Sequence, residues 1–200
     1  MKNTIIDHEN LSHQRTELCE IMAKHGSDKG MGWHNYTLVY NKLFKKIKTT
    51  ADHFFELGIG TINSGASLRG WKEYFKKANI YGADILLETL FTDHRIQTFE
   101  CDQLDKNSIE KLWSNFKAVK FDVILEDGLH TYEANISFLE NSLHMVKDNG
   151  YYIIEDVYIP EINKYDEYLK NSSLEFKEYQ IVNLFNEGNK HDNVLVIIKK

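Results

Sequence analysis

Short apolar runs alternate with stretches of helical spacing along most of the chain. The runs predict strands, and apolar residues three and four positions apart predict amphipathic helices that cover them. Two further apolar runs near the C-terminus, separated by a polar turn, are typical of an antiparallel hairpin. This order predicts an α/β fold, a doubly wound Rossmann-like sheet with a C-terminal antiparallel hairpin. The predicted strands are 53–57, 80–83, 96–99, 121–125, 151–154, 176–182 and 194–198, with the hairpin turn at 186–189.

Helices are predicted between these strands, and residues that can cap a helix mark two of their starts. Asn63 or Ser64 is expected to cap the helix after the first strand, and Asp105 or Asn107 the helix after the third. The other predicted helices are 11–24, 36–47, 162–169 and 132–146, the last of which is expected to stop at Asp148-Asn149-Gly150.

A polar, glycine-punctuated loop at residues 24–34 lies between the first two predicted helices. Because it precedes the first strand of the sheet, it is expected to fold over a bound cofactor as a lid. The sequence therefore predicts an N-terminal helical cap or lid segment, 1–50, and a sheet domain, 51–200, within a single domain overall.

The composition narrows the class of protein. A chain of 200 residues is long enough for one well-buried α/β domain and too short for two ordinary ones. A net charge of −6 without a long basic run argues against nucleic acid as a partner. Without a signal core or an apolar run of membrane length, a cytoplasmic protein that contacts no membrane is expected. The oligomeric state stays open, a homo-oligomer included.

The first strand ends in Glu56 and Leu57 and is followed by a Gly-x-Gly turn at Gly58 and Gly60, an arrangement that brings backbone N–H groups close to a ligand. Asn63 stands where a dinucleotide-binding fingerprint has its third glycine, so that fingerprint is incomplete. The carboxylate of Glu56 would repel a pyrophosphate and suits a cationic ligand. Asp84, at the tip of the second strand, is expected to hold ribose hydroxyls.

The Glu-x-Gly-x-Gly segment resembles the first motif of class I S-adenosylmethionine-dependent methyltransferases. Segments 25–36, 67–71, 127–130 and 154–156 narrow the resemblance to sugar O-methyltransferases of the macrolide-glycoside and bacterial surface-polysaccharide type. The resemblance implies the class I methyltransferase sheet and S-adenosyl-L-methionine as cofactor. The residues that it implies for cofactor binding are Glu56, Gly58, Gly60, Asp84, Asp102, Gln103 and Lys29.

The same resemblance implies a catalytic centre. Asp127, Glu155 and Asp156 would bind Mg²⁺ or Mn²⁺, and His130 would act as the base beside Asp127. Such an ion can lower the pKa of a bound hydroxyl, and a neutral imidazole with an ordinary pKa of about 6.5 is a suitable base near pH 7. Two observations leave the metal requirement open. The family's Asp, Ser and His are replaced by Glu126, Leu129 and Ala134, and neighbouring residues of a strand point to opposite faces.

The predicted function is transfer of a methyl group to a sugar hydroxyl, of a nucleotide sugar or of a surface polysaccharide or glycoside. The alternatives are another small hydroxylated metabolite as acceptor, and a cofactor-binding subunit without catalysis. A nicotinamide-dependent sugar dehydrogenase or epimerase would need a Tyr-x-x-x-Lys pair. None of the tyrosines at positions 36, 40, 74, 81 and 132 has a lysine four residues on.

Overall fold

A computed structural model describes residues 15–184 and 192–200 in full and residues 3–7 as backbone only. These residues form one nine-stranded sheet with helices on both faces. The strands are β1 (Asn3–Asp7), β2 (His53–Leu57), β3 (Asn79–Asp84), β4 (Thr92–Asp93), β5 (Ile96–Glu100), β6 (Phe121–Glu126), β7 (Val146–Ile154), β8 (Glu178–Asn183) and β9 (Val194–Lys199). The helices are α1 (Glu17–His25), α2 (Tyr36–Phe44), α3 (Ala66–Tyr74), α4 (Lys106–Ser114), α5 (Tyr132–Ser142) and α6 (Ile162–Asn171).

The strands lie in the order β1-β8-β9-β7-β6-β2-β3-β5-β4. The five central strands, in the sheet order β7-β6-β2-β3-β5, are mutually parallel. Strand β9 runs antiparallel to both of its neighbours, β7 and β8. The predicted antiparallel hairpin is confirmed, although its turn at 186–189 lies outside the described residues. The short edge strands β1 and β4 were not predicted. The last strand thus lies inside the sheet, beside β7, whose last residue, Ile154, directly precedes Glu155.

A hydrophobic core covers each face of the sheet. Phe54 packs with α1, α2 and α3 on one face, and Phe55 packs with α4 and α5 on the other, because successive side chains of a strand point in opposite directions. Met22 of α1 packs so closely on α3 that a Cβ at Gly70 would lie 2.5 Å from its Sδ. This two-sided packing confirms the doubly wound fold. No helix in the described part of the chain is both long and apolar enough to cross a membrane.

The end of α5 and the start of β7 both differ from the prediction. Helix α5 ends at Ser142, and β7 already begins at Val146, where the backbone pairs with Phe121 and passes through a bulge before Tyr151 pairs with Val123. Because the backbone pairs with β6 from Val146 onward, helix α5 ends earlier than the spacing of apolar residues predicts.

Helix α3 begins at Ala66, preceded by Gly65 in the left-handed conformation, and has no side-chain cap. The predicted cap by Asn63 or Ser64 is therefore wrong. The prediction for α4 is confirmed, since the side chain of Asp105 accepts a hydrogen bond from the Asn107 backbone.

Candidate active site

A cavity of about 690 Å³ opens at the carboxyl ends of the parallel strands, beside β2. The neighbours of β2 are β3 on one side and β6 on the other, so the cavity lies where the order of the sheet reverses, the usual place for a ligand in such folds. Nine of the predicted site residues line it: Lys29, Gly58, Gly60, Asp84, Asp102, Gln103, Asp127, His130 and Asp156. Glu56 and Glu155 do not line it.

The glycine turn after β2 brings the loop after β6 into contact with it. Gly58 has φ of +90°, and a Cβ at this position would lie 1.8 Å from the carbonyl oxygen of Asp127. Gly60, with φ of +73°, has no such neighbour within 4 Å. The first glycine therefore permits two backbones to touch, whereas the second is open to the cavity.

The carboxylate of Asp84 holds this glycine turn. Its Oδ2 accepts hydrogen bonds from the backbone N–H groups of Ile59, at 2.8 Å, and Gly60, at 3.2 Å. Its Oδ1 accepts one from Leu86. Asp84 thus fixes the loop beside which a ligand would bind. A contact between Asp84 and ribose stays a prediction.

Gln103 connects the loop after β5 to the loop after β6. Its Nε2 donates to Glu126 at 3.1 Å, and its Oε1 accepts from the backbone of Leu129 at 2.7 Å. A Cβ at Gly128 would lie 1.9 Å from the same Oε1, so this close packing requires glycine. Burial raises the pKa of Glu126 to about 7, against the hydrogen bond from Gln103. Both polar atoms of the Gln103 amide are therefore engaged within the protein, whereas sequence analysis assigned this residue to the cofactor.

Lys29 occupies a position that differs from the prediction. Its ammonium lies 2.5 Å from Asp127 Oδ2 and 3.3 Å from Glu56 Oε1, and it also donates to Glu155 Oε2. Burial would lower the pKa of Lys29, but the three carboxylates outweigh it and raise that pKa well above its usual value. The ammonium of this cavity-lining residue is thus bound by three acids, and a contact between Lys29 and the cofactor stays a prediction.

Glu56 also has different partners from the predicted ones. It is fully buried, accepts a hydrogen bond from the indole of Trp71 at 2.7 Å, and faces Lys29. Burial raises its pKa to about 7 although Lys29 opposes the change. A carboxylate that is enclosed in this way stabilises the lysine, and the structure gives it no surface on the cavity.

The neighbouring acids Glu155 and Asp156 are directed to different places. Glu155 is buried and accepts hydrogen bonds from Lys29 and, at 2.5 Å, from Tyr40. The backbone has left β7 at this point, and Asp156 takes a left-handed conformation with φ of +53° that turns its carboxylate toward Tyr36, at 2.5 Å, and the cavity. Burial and neighbouring carboxylates raise the pKa of both acids.

His130 lies between two carboxylates at the edge of the cavity. Its Nε2 is 3.0 Å from Asp127 Oδ1, and its Nδ1 is 3.6 Å from Asp156 Oδ2. Burial lowers the pKa of the imidazole, but Asp127 and Asp156 outweigh it and raise this pKa from 6.5 to about 9. The two carboxylates thus hold the pKa of His130 above the ordinary value that sequence analysis assumed.

The predicted metal ligands fit only in part. Within the described ranges, Asp127, His130 and Asp156 offer ligand atoms that all lie within 4.8 Å of one another. The two carboxylates suit Mg²⁺ or Mn²⁺, whereas an imidazole is a ligand that zinc, copper, iron or nickel prefers. Glu155 is not part of this group, because Lys29 and Tyr40 occupy its oxygens. The structure thus leaves two of the three predicted acids available to one ion.

Three further side chains complete the site. Tyr36 and Tyr40, one turn apart on α2, bind Asp156 and Glu155, and the Nδ1 of His34 lies 3.3 Å from Asp156 Oδ1. Sequence analysis placed both tyrosines on a predicted helix, and Tyr36 also within the segment 25–36 of the family resemblance, but gave neither of them a role in the site. A chemical argument could have found them, because a buried tyrosine hydroxyl usually needs a hydrogen-bond partner.

The chain is similar to curated enzymes that methylate sugars. It is 30% identical over 144 residues to 8-demethyl-8-alpha-L-rhamnosyl tetracenomycin-C 2'-O-methyltransferase of Streptomyces olivaceus, which covers 70% of this chain and 37% of that enzyme. It is 28% identical over 150 residues to mycinamicin VI 2''-O-methyltransferase of Micromonospora griseorubida, covering 72% of this chain and 37% of that enzyme. The chain therefore spans little more than a third of the length of these relatives. It matches no protein-family model.

Solved structures show the same fold. The MycE methyltransferase of mycinamycin biosynthesis, in complex with Mg and SAH, superimposes with a TM-score of 0.72 at 20% identity, covering 94% of this chain and 55% of that one. A putative caffeoyl-CoA O-methyltransferase from Staphylococcus aureus gives a TM-score of 0.58 at 14% identity, covering 94% of each chain. The fold is thus the class I methyltransferase fold, and the sequence is that of a relative of sugar O-methyltransferases.

Proposed function

We propose that this relative of sugar O-methyltransferases transfers the methyl group of S-adenosylmethionine to a sugar hydroxyl. The observation that carries the proposal is the pairing of Asp127 with His130 at 3.0 Å on the edge of a cavity that the glycine turn at 58–60 also lines. An acid-oriented imidazole can accept a proton, and the cavity beside it has room for a nucleoside-sized ligand.

The lining of the cavity suits this cofactor. Gly60 leaves open space, and Asp84 fixes the backbone N–H groups of the turn. Asp102, whose Oδ1 accepts from Leu104, lies in the next loop along the sheet edge. When bound, S-adenosylmethionine supplies an electrophilic methyl group on a sulfonium centre. A carboxylate-rich site favours that positive charge over the diphosphate of a dinucleotide.

The reaction needs a hydroxyl oxygen that is aligned and deprotonated. The oxygen forms a bond to the methyl carbon while the bond from that carbon to sulfur breaks, and the hydroxyl proton passes to His130. Asp127 holds the imidazole and stabilises it once it is protonated. Asp127 and Asp156 would hold Mg²⁺ or Mn²⁺ if an ion takes part, with the effect of lowering the pKa of the bound hydroxyl. The proposed proton transfer to His130 does not depend on whether this ion takes part.

A glycoside is the acceptor that the relatives favour. Their names describe methylation of rhamnosyl and other sugars on polyketide and macrolide products. In this chain the described residues around His130 include Asp127 and Asp156, which would repel a phosphate group. We therefore propose a neutral glycosyl hydroxyl as acceptor, ahead of a nucleotide sugar, and a place in the decoration of glycosides or surface polysaccharides.

The test is methyl transfer from isotope-labelled S-adenosylmethionine, followed by mass spectrometry of the acceptor. The acceptors are neutral rhamnosides and nucleoside-diphosphate rhamnose, each with Mg²⁺ and with EDTA. Labelled methyl ether on the neutral rhamnosides, and none with His130→Ala, is the expected result. Labelling of the nucleotide sugar alone would overturn the acceptor assignment, and loss of labelling in EDTA would assign an ion. No labelling of any hydroxyl by a protein that binds S-adenosylhomocysteine would favour a non-catalytic subunit.

A further inference from the structure

Lys29 is a buried cation that the proposed reaction does not use. Its side chain is 3% exposed, although lysine is almost never enclosed without partners. Three carboxylates surround its ammonium: Asp127 at 2.5 Å, Glu56 at 3.3 Å, and Glu155, to which it donates a hydrogen bond. Removing a charge from water costs several kcal/mol unless close partners compensate, so this lysine is held firmly by its acids.

The two oxygens of the Asp127 carboxylate have different partners. Oδ2 accepts from Lys29, and Oδ1 faces Nε2 of His130 at 3.0 Å. The contact with Glu155 is equally specific, because Tyr40 binds the remaining oxygen of that acid at 2.5 Å. Lys29 therefore connects the end of β6 to the end of β7 through a single ammonium group.

We propose that Lys29 is a positioning residue of the methyl-transfer site, which binds Asp127 and Glu155 together and so fixes the Asp127 carboxylate with its free oxygen directed at His130. The inference rests on the proposed function and extends it, since it gives the N-terminal loop a part in orienting the base. Without the ammonium, the carboxylate of Asp127 can rotate about its terminal bond. The imidazole then loses its fixed hydrogen bond.

The chain supplies a matched control at the opposite end of the sheet. Lys147 also binds two carboxylates, Asp52 at 3.1 Å and Asp122 at 3.0 Å, but none of these residues lines the cavity. The variants Lys29→Met and Lys147→Met each remove one ammonium that bridges at least two acids. Only the first disturbs an acid that contacts His130.

The experiment compares four properties of both variants. These are the free energy of unfolding, the affinity for S-adenosylhomocysteine, the kcat of methyl transfer, and the ¹⁵N NMR signals of the His130 imidazole. For Lys29→Met we expect a folded protein with retained affinity, a kcat lower by about 10–100-fold, as for removal of a group that orients an active residue, and shifted imidazole signals. For Lys147→Met we expect unchanged kcat and imidazole signals.

Unchanged kcat and imidazole signals in folded Lys29→Met would overturn the proposal. If Lys29→Met does not fold, the double variant Lys29→Met/Glu155→Gln, which removes an acid along with the ammonium, is measured in its place. Failure of both to fold would assign Lys29 a purely structural role and would also overturn it. A wild-type protein without methyl transfer would contradict the proposed function. The imidazole signals need no acceptor, so this measurement would still decide the role of Lys29.

Discussion

His130 is placed between Asp127 and Asp156, and this environment sets the pH at which it can accept a proton. After the opposing effect of burial, the two carboxylates raise its pKa to about 9. The neutral imidazole therefore forms only as the pH rises through about 9 in the ligand-free protein. The same raised pKa also makes the stability of the fold depend on pH, and stability falls as the pH rises. A raised pKa stabilises the fold fully below about pH 6.5, and this contribution is lost as the pH rises through about 9.

We expect an NMR titration of the ligand-free protein to give His130 a pKa near 9, and Asp127→Asn to move it down toward the ordinary value. His130→Ala should lower the rate of methyl transfer by a factor on the order of 10²–10⁴, the usual contribution of a general base. A wild-type pKa near 6.5 would contradict the electrostatic account. Full activity in His130→Ala would remove the base assignment.

Two glycines in one turn give a matched pair of substitutions. In Gly58→Ala the new Cβ would lie 1.8 Å from the Asp127 carbonyl oxygen, so the glycine turn and the loop after β6 must separate. In Gly60→Ala only the left-handed conformation is penalised, at roughly 1–2 kcal/mol. We expect urea unfolding and calorimetric titration with S-adenosylhomocysteine to show a larger loss of stability and affinity in Gly58→Ala. Equal losses would mean that the contact between the loops is unimportant.

At the scale of elements, α2 holds the acids that follow β7. Tyr40→Phe removes the hydroxyl that donates to buried Glu155, and we expect it to lower the free energy of unfolding by about 1–3 kcal/mol. Tyr152→Phe is the control. The Tyr152 hydroxyl is also buried but has no hydrogen-bond partner among the described residues, so its removal should be neutral or stabilising. Denaturant titration measures both, and an equal effect of the two substitutions would contradict the role of the Tyr40 hydrogen bond.

The elements themselves could be read from the sequence where apolar spacing and local chemistry agree. The run at 53–57 and the cap at Asp105 are such cases, and both are confirmed. The start of β7 at Val146 could not be predicted, because it depends on pairing with Phe121 far away in the chain. The site shows the same division. Motifs placed Asp127, His130 and Asp156 together, but only the folded chain shows that Lys29 and Tyr40 take the two oxygens of Glu155 that an ion would need.

At the scale of the whole molecule, the N-terminal segment shares its core with the sheet. Leu18 and Met22 of α1 are fully buried, in the same cluster as Leu68 and Trp71 of α3. We propose that residues 15–50 are a built-in part of a single domain, with only their loop at the cavity free to act as a lid. A chain that lacks residues 1–35 should therefore lose its cooperative thermal transition and its near-ultraviolet circular dichroism. A truncated protein with native stability would contradict this proposal.

In the proposed function, the cavity beside β2 holds S-adenosylmethionine next to Asp127 and His130. Calorimetric titration with S-adenosylhomocysteine tests it most directly, with NAD as the competing nucleotide and Gly58→Ala as the variant with an obstructed turn. We predict saturable binding of S-adenosylhomocysteine at one site per chain, a raised melting temperature by mass action, and no binding of NAD. Binding should weaken strongly in Gly58→Ala. Binding of NAD in preference to S-adenosylhomocysteine, or of neither ligand, would contradict the account.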